Sequence, residues 1–151
     1  MLEKVYVESE QNYLKYNNMR TLGVDYGEKR IGIAISDEHG IIASRYKILK
    51  NDKSFIDNFN DIVTSYKIGK IVFGLPLDEN GEEGVSAFNV RDFTKTLDIK
   101  NIENIEIVYW NETLTTYDAS LILKKTGRGK KEKVDDIAAQ LILQDYLDSN
   151  S

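Results

Sequence analysis

Gly23-Val24-Asp25-Tyr26-Gly27-Glu28-Lys29-Arg30-Ile31-Gly32-Ile33-Ala34-Ile35-Ser36-Asp37 decides the fold. Two apolar stretches, Thr21 to Val24 and Ile31 to Ile35, read as paired strands over about Arg20–Asp25 and Arg30–Ser36, with a turn at Gly27 between them. Asp25 closes the first strand. A carboxylate there is costly unless something cationic meets it. Gly23 and Gly32 leave room beside the sheet for another backbone or a ligand. An acid offered at a strand end into open space is what a metal or phosphate site needs. A turn aspartate closing a hairpin fits the same segment.

Outward from this hairpin, His39-Gly40 makes a turn and Ile41 to Ile48 gives a third strand, completing an antiparallel meander. Ser54 is the expected N-cap of a helix carrying Phe55, Ile56, Phe59, Ile62, Val63 and Tyr66 on one face, and Gly69 its expected end. Lys70 to Leu75 reads as a short buried strand stopped by Pro76, the only proline. The loop Leu77 to Gly84 is either plain turn geometry or a set of backbone N–H groups facing a phosphate. A helix over Val85 to Leu97 is expected to turn Phe88, Phe93 and Leu97 inward. Ile105 to Trp110 is a fifth strand, Thr115 or Thr116 caps a third helix, and Val134 to Leu147 forms the last one. Strands alternating with helices in the second half imply parallel crossovers. The expected architecture is α/β: a mixed five-stranded sheet, three strands in an antiparallel meander and two parallel, flanked by helices. Residues 1–18 are polar with little periodicity and read as an N-terminal extension, leaving 19–151 as one domain.

With 151 residues the chain is long enough for one domain with a real core. It has no cysteine, which excludes disulfides and thiolate zinc sites. Its single histidine, His39, has no evident catalytic partner, so a Ser-His-Asp triad is excluded. No apolar run is long enough to span a membrane, and the N-terminus lacks a signal-peptide profile, so the cytoplasm is the expected compartment. A net charge of −5 argues against a general nucleic-acid coat. The charge is uneven, however. Between Lys124 and Lys133 six Lys or Arg face one acid, Glu132, around Thr126-Gly127-Arg128-Gly129. That segment is a basic loop suited to phosphate contact, or a solvated loop.

Three acids stand out by position: Asp25 at the end of the first strand, Glu112 just past the fifth, and Asp135 opening the last helix. Ligands in open α/β sheets gather at the carboxyl ends of parallel strands. The last helix is apolar at Val134, Ile137, Ala138, Leu141 and Ile142 and must lie against the sheet, with Ala138 and Ala139 permitting close approach. Its first turn can then deliver Asp135 to the same rim. Three converging carboxylates persist only with raised pKa values or bound cations. Oxygen-only ligation suits Mg²⁺ or Mn²⁺, and two such ions about 4 Å apart activate a water and stabilise the leaving oxygen of a phosphodiester. For Asp135 and Asp136, charge at a helix N-terminus is explanation enough for either acid alone. Glu112 alone is explained as an acid beside the Thr115 cap.

Four motifs then carry a resemblance. Gly23-Val24-Asp25-Tyr26-Gly27-x-Lys29-Arg30-Ile31-Gly32, Gly74-Leu75-Pro76-Leu77 with Gly81 and Gly84, Glu112-x-Leu114-Thr115-Thr116, and Val134-Asp135-x-x-Ala138-Ala139 followed by Ile142-Leu143-Gln144-x-Tyr146-Leu147 resemble, in that order, the YqgF/RuvX family over about Met19 to Asp148. Members are described as pre-16S rRNA nucleases and as Holliday junction resolvases. The resemblance implies a ribonuclease H-like fold and a cytoplasmic endonuclease acting in 5′-end maturation of the 16S rRNA precursor. It makes Asp25, Glu112 and Asp135 the catalytic and metal-binding set, with Asp25 bridging two ions. Lys29, Arg30, Arg128 and Lys130 are the expected phosphate contacts, although Lys29 and Arg30 also suit plain exposed hairpin charges. The third motif departs from the family's usual Asp-Glu-Arg-Leu-Thr, with Asn111 and Thr113 in place of the Asp and the Arg. Loss of that arginine removes a phosphate contact or an ion pair. The expected partners are pre-16S rRNA or branched DNA, with the ribosome as a further one, and the chain a monomer or homodimer. Two alternatives stand beside the rRNA nuclease: a DNA junction resolvase with the same chemistry, and a non-catalytic RNA- or ribosome-binding protein. A nucleotide-binding fold of the actin and sugar-kinase type also uses a Gly-x-Asp-x-Gly loop, but needs a second domain for which this chain is too short.

Overall fold

Hydrophobic alternation in the first half of the chain builds the sheet. The computed structural model describes residues 19–97, 105–111 and 134–150, the side chains of 134–136 excepted. Its strands are β1 (Arg20–Asp25), β2 (Arg30–Ser36), β3 (Ala43–Lys50), β4 (Ile68–Leu75) and β5 (Glu106–Asn111). Its helices are α1 (Phe55–Ser65), α2 (Val85–Thr96) and α3 (Val134–Ser149). The strands form one five-stranded sheet in the order β3-β2-β1-β4-β5. β1–β2 and β2–β3 pair antiparallel; β1–β4 and β4–β5 pair parallel. This is the mixed sheet expected from the sequence.

Each strand divides its side chains between two layers. Leu22, Val24, Ile31, Ile33 and Phe73 pack on one face with Phe55 and Phe59 of α1 and Val90 of α2. Ala34, Ala43 and Val72 pack on the other with Ala139, Ile142 and Leu143 of α3. The sheet is thus covered on both faces, which is why Ile71, Val72 and Phe73 are all fully buried in a continuous apolar run. Burial of each such side chain contributes about 1.5–3 kcal/mol.

Several local expectations are corrected. β3 runs Ala43–Lys50, not Ile41 to Ile48. Asp37 holds Ile41 and Ile42 in the preceding turn, accepting their N–H groups at 2.7 and 3.0 Å. Ser54 does not cap α1 with its side chain. Its hydroxyl and its N–H instead both donate to Asp52 Oδ1. The left-handed residue after α1 is Lys67, with φ 51°, and Gly69 lies inside β4 against Met19. Phe88 is 64% exposed; Ala87, Val90 and Thr94 form the buried side of α2, while Phe93 packs beside the core. The helix expected from Thr115 lies outside the described residues. No described helix is long and apolar enough to cross a membrane.

Candidate functional site

β1, β4 and β5 run the same way, so Asp25, Leu75 and Asn111 end on one edge of the sheet; Leu75 pairs directly with Asn111. Strand alternation puts Asp25 on the same face as Gly23, and Gly23 faces α3. A Cβ on Gly23 would stand 2.7 Å from Leu143 Cβ and 2.8 Å from the Ala139 carbonyl oxygen. Only glycine admits the helix that closely. Asp25 also pairs across β1–β2 with Gly32. Gly74 shares the α3 side of neighbouring β4 with Val72. Half-buried Asp25 therefore stands between two positions without side chains, Gly32 on β2 and Gly74 on β4.

α3 runs opposite to β1. Tyr146 meets Lys70, whose partner on β1 is Thr21, while Ala139 and Leu143 lie over Gly23. Asp135 is the second residue of α3 and lies eight positions before Leu143, about 12 Å along the axis. It shares a helical face with Ala139, four residues on. Moving from Leu143 to Asp135 and from Gly23 to Asp25 leads to the same end of the sheet. The structure thus carries Asp25 and the backbone of Asp135 toward one rim. Glu112, Arg128 and Lys130 lie outside the described residues, Glu112 directly following Asn111 in the chain. Among the described residues no three His, Cys, Asp or Glu side chains form a group able to hold a metal ion. The described donor at this rim is the Asp25 carboxylate. That chemistry suits a hard divalent cation such as Mg²⁺ or Mn²⁺ and not a soft one.

Lys29 is exposed in the β1–β2 turn and Arg30 opens β2, half-buried. Sequence reasoning missed what fixes this turn. Asn51 Nδ2 donates to the Gly27 carbonyl at 2.9 Å, and Asn51 N–H donates to the Lys29 carbonyl at 3.0 Å. It missed Lys50 as well, which pairs with Arg30; ending β3 two residues early hid that pairing. Tyr26, next to Asp25, packs at a tilt on Phe93 with ring centres 4.6 Å apart, so α2 holds the strand end from the opposite face. The loop after β4 is turn geometry. Asp78 Oδ1 accepts the N–H groups of Asn80 and Glu82 at 2.9 Å, and the Asp78 carbonyl accepts that of Gly81 at 3.0 Å. Those donors are spent on the loop itself.

A covered mixed sheet in this order, with an acid at the shared carboxyl end of its parallel strands, is a ribonuclease H-like fold. Residues 19–149 match the model of the RuvX family, described as Holliday junction resolvase, and the chain belongs to that family. A protein of Sulfurihydrogenibium sp. (strain YO3AOP1) named "Putative pre-16S rRNA nuclease" is 42% identical over 130 residues, covering 85% of this chain and 90% of its own. One of the same name from Clostridium tetani (strain Massachusetts / E88) is 45% identical over 136 residues, covering 87% and 97%. Among solved structures, the fowlpox virus resolvase in complex with substrate Holliday junction DNA superposes with a TM-score of 0.53 at 19% identity, over 87% of this chain and 99% of that one. T. thermophilus RuvC in complex with a Holliday junction substrate gives 0.52 at 10% identity, over 87% and 95%.

Proposed function

We propose that this protein is a divalent-metal-dependent endonuclease that hydrolyses phosphodiester bonds in the 16S rRNA precursor, maturing its 5′ end in the cytoplasm as part of ribosome biogenesis. The observation that carries the reading is Asp25, opposite Gly32 at the carboxyl end of β1, on the face against which Gly23 admits α3 and hence the backbone of Asp135. The names of relatives at 42% and 45% identity supply the substrate. Residues 19–151 form the nuclease unit in this reading, and 1–18 an extension to it.

Asp25, Glu112 and Asp135 would hold Mg²⁺ or Mn²⁺. Bound there, the metal supplies water activation and neutralises charge on the reacting phosphodiester. The chain's own residues do the rest. The three carboxylates come from separate elements, so cleavage depends on the fold and not on one loop. Lys29, Arg30, Arg128 and Lys130 bind phosphates and set the strand's position; Tyr26, held on Phe93, keeps the end of β1 in place. The test is cleavage of a precursor rRNA leader and of a four-way DNA junction, each with Mg²⁺ or Mn²⁺. Wild type should cut the leader, and Asp25→Asn and Asp135→Asn should each lose at least a hundredfold in rate. Unchanged activity in both variants overturns the assignment.

The family's description as Holliday junction resolvase supports a second reading, the same chemistry on branched DNA by a dimer presenting two sites. Cleavage of the junction alone would favour it. The replaced residues Asn111 and Thr113 support a third, an RNA- or ribosome-binding protein without activity. That protein would keep its RNA affinity after Asp25→Asn and show no cleavage at all.

A further inference from the structure

The face of the sheet that bears Asp25 extends across β2 to β3, the edge strand, with α3 packed on its Ala34 and Ala43 part. Residues sharing it follow from the pairing: Arg30, Gly32, Ala34 and Ser36 on β2 stand opposite Lys50, Ile48, Arg45 and Ala43 on β3. Ala34 and Ala43 pack on α3, which fixes the side. Leu49 packs on the opposite layer, as alternation requires. A register shift between Ile33 and Ala34 absorbs Tyr46, so Arg45 and Lys50 both stay on the Asp25 side.

Arg30, Arg45 and Lys50 are therefore three cations on one face, and β2 and β3 place no acid there. Arg45 and Lys50 are exposed on an edge strand. Lysines commonly guard such edges against pairing with another chain. Edge protection does not require both cations to share the face of a half-buried carboxylate two strands away. Beside Lys50 lies a hollow of about 640 Å³ lined by Lys29, Arg30, Ile48, Lys50, Glu28 and Asp52. Asp52 is committed to the Ser54 N–H and hydroxyl, which with the charge of Lys50 keep its carboxyl below the ordinary range and ionised. The cations still outnumber the acids in the lining. By strand geometry, Lys50 Cα and Arg45 Cα are each about 12 Å from Asp25 Cα, on either side of the Asp25–Gly32–Ile48 row. They are about 14 Å apart along β3, far enough to contact more than one phosphate of a single strand.

We propose that Arg45 and Lys50, with Arg30 between them and Asp25, form a tract that binds the sugar–phosphate backbone of a single RNA strand flanking the reacting phosphodiester. This rests on the nuclease reading for its orientation toward Asp25. Ile48, half-buried and apolar, gives the strand a surface that repels no phosphate. An acidic protein thus meets RNA through one local cationic face and not through its net charge.

The test measures binding of a fluorescein-labelled single-stranded RNA leader by anisotropy in EDTA, across a salt series, with cleavage measured separately in Mn²⁺. Lys50→Gln and Arg45→Gln should each weaken binding about fivefold at 0.1 M salt, and the double variant should lower the slope of log K against log salt by about 1.4. Lys95→Gln, on α2 and the other face, should change neither. In Mn²⁺ the double variant should raise KM and leave kcat within twofold, because neither side chain reaches the reacting group. Unchanged affinity and slope in the double variant overturn the tract, whether or not Asp25→Asn abolishes cleavage. A lowered slope from a protein that cuts nothing sustains the tract as an RNA-binding face and sinks the nuclease reading instead.

Discussion

Gly23 is where sequence and site meet most tightly. Its missing Cβ was legible as room for a neighbour, and the neighbour is the backbone of α3. Gly23→Ala forces the Ala139 carbonyl and Leu143 away, and overpacking of this kind costs about 1–3 kcal/mol. Urea unfolding should show that loss, and Mn²⁺ affinity should fall with it because the Asp135 end of α3 is lifted from β1. A variant as stable as wild type would contradict the close packing. Asp37 offers a second residue-scale prediction. The Ile42 N–H, with the Ile41 N–H and His39 assisting against burial, holds its carboxyl below the usual range. The folded state thus binds the Asp37 proton more weakly than the unfolded chain. The stabilisation is fully present above about pH 4 and is lost as pH falls through the lower folded value. Asp37→Asn should be less stable than wild type at pH 7, and the gap should narrow toward pH 3 in denaturant titrations. Other residue-scale expectations failed for local reasons. Phe88 has helical spacing compatible with either side of α2, and only the position of the sheet shows that Ala87 and Val90 face inward. Ser54 has the chemistry of a cap, but its hydroxyl and its N–H are both donated to Asp52 two residues earlier.

Elements were legible where the pattern was long and strict. β1, β2 and the existence of α1, β4, α2, β5 and α3 follow from alternation or helical spacing, because burial on a known face imposes a period. Ends were not. β3 begins two residues late because Ile41 and Ile42 look like strand residues by type and are held in a turn by Asp37. α3 shows why an element's role exceeds its pattern. Its apolar side, read from sequence, packs on the sheet; its polar Gln140 and Gln144 bind the edge strand. Gln144 Oε1 accepts the Ala43 N–H at 2.9 Å, its Nε2 donates to the Ile41 carbonyl at 2.9 Å, and Gln140 Nε2 donates to the Ala43 carbonyl at 3.1 Å. Spacing alone could not foresee partners about a hundred residues away. Gln144→Ala leaves an N–H at the start of β3 without its acceptor, at a cost of about 1–3 kcal/mol. Amide exchange should report it at Ala43 first, with β1 and β4 protected as before. Equal loss of protection across the whole sheet would show that the pair does more than fasten an edge.

At the scale of the molecule, the two ends of the sheet have different physics. The amino end is closed by pairings: the Lys70 ammonium donates to the Tyr146 hydroxyl at 2.8 Å and stands 3.6 Å from Glu106, and Arg20 stands 3.6 Å from Glu38. Burial alone would lower the Lys70 pKa, but the hydroxyl and Glu106 outweigh it and hold it above the ordinary value. In the proposed nuclease the carboxyl end would instead gather Asp25, Glu112 and Asp135, and like charges brought together need a cation to offset their repulsion. The last structural question is therefore thermodynamic. A metal that binds only the folded state at a hundred times its Kd adds about 2.7 kcal/mol to stability. Wild type should melt higher as Mn²⁺ is raised, and Asp25→Asn should lose most of that rise while matching wild type in EDTA to within a few degrees. Lys70→Met should do the reverse, melting lower in EDTA yet keeping the full Mn²⁺ increment, since it belongs to the far end of the sheet. A wild-type melting point indifferent to Mn²⁺ would mean that the acids at the carboxyl end do not meet around an ion, whatever the relatives are called.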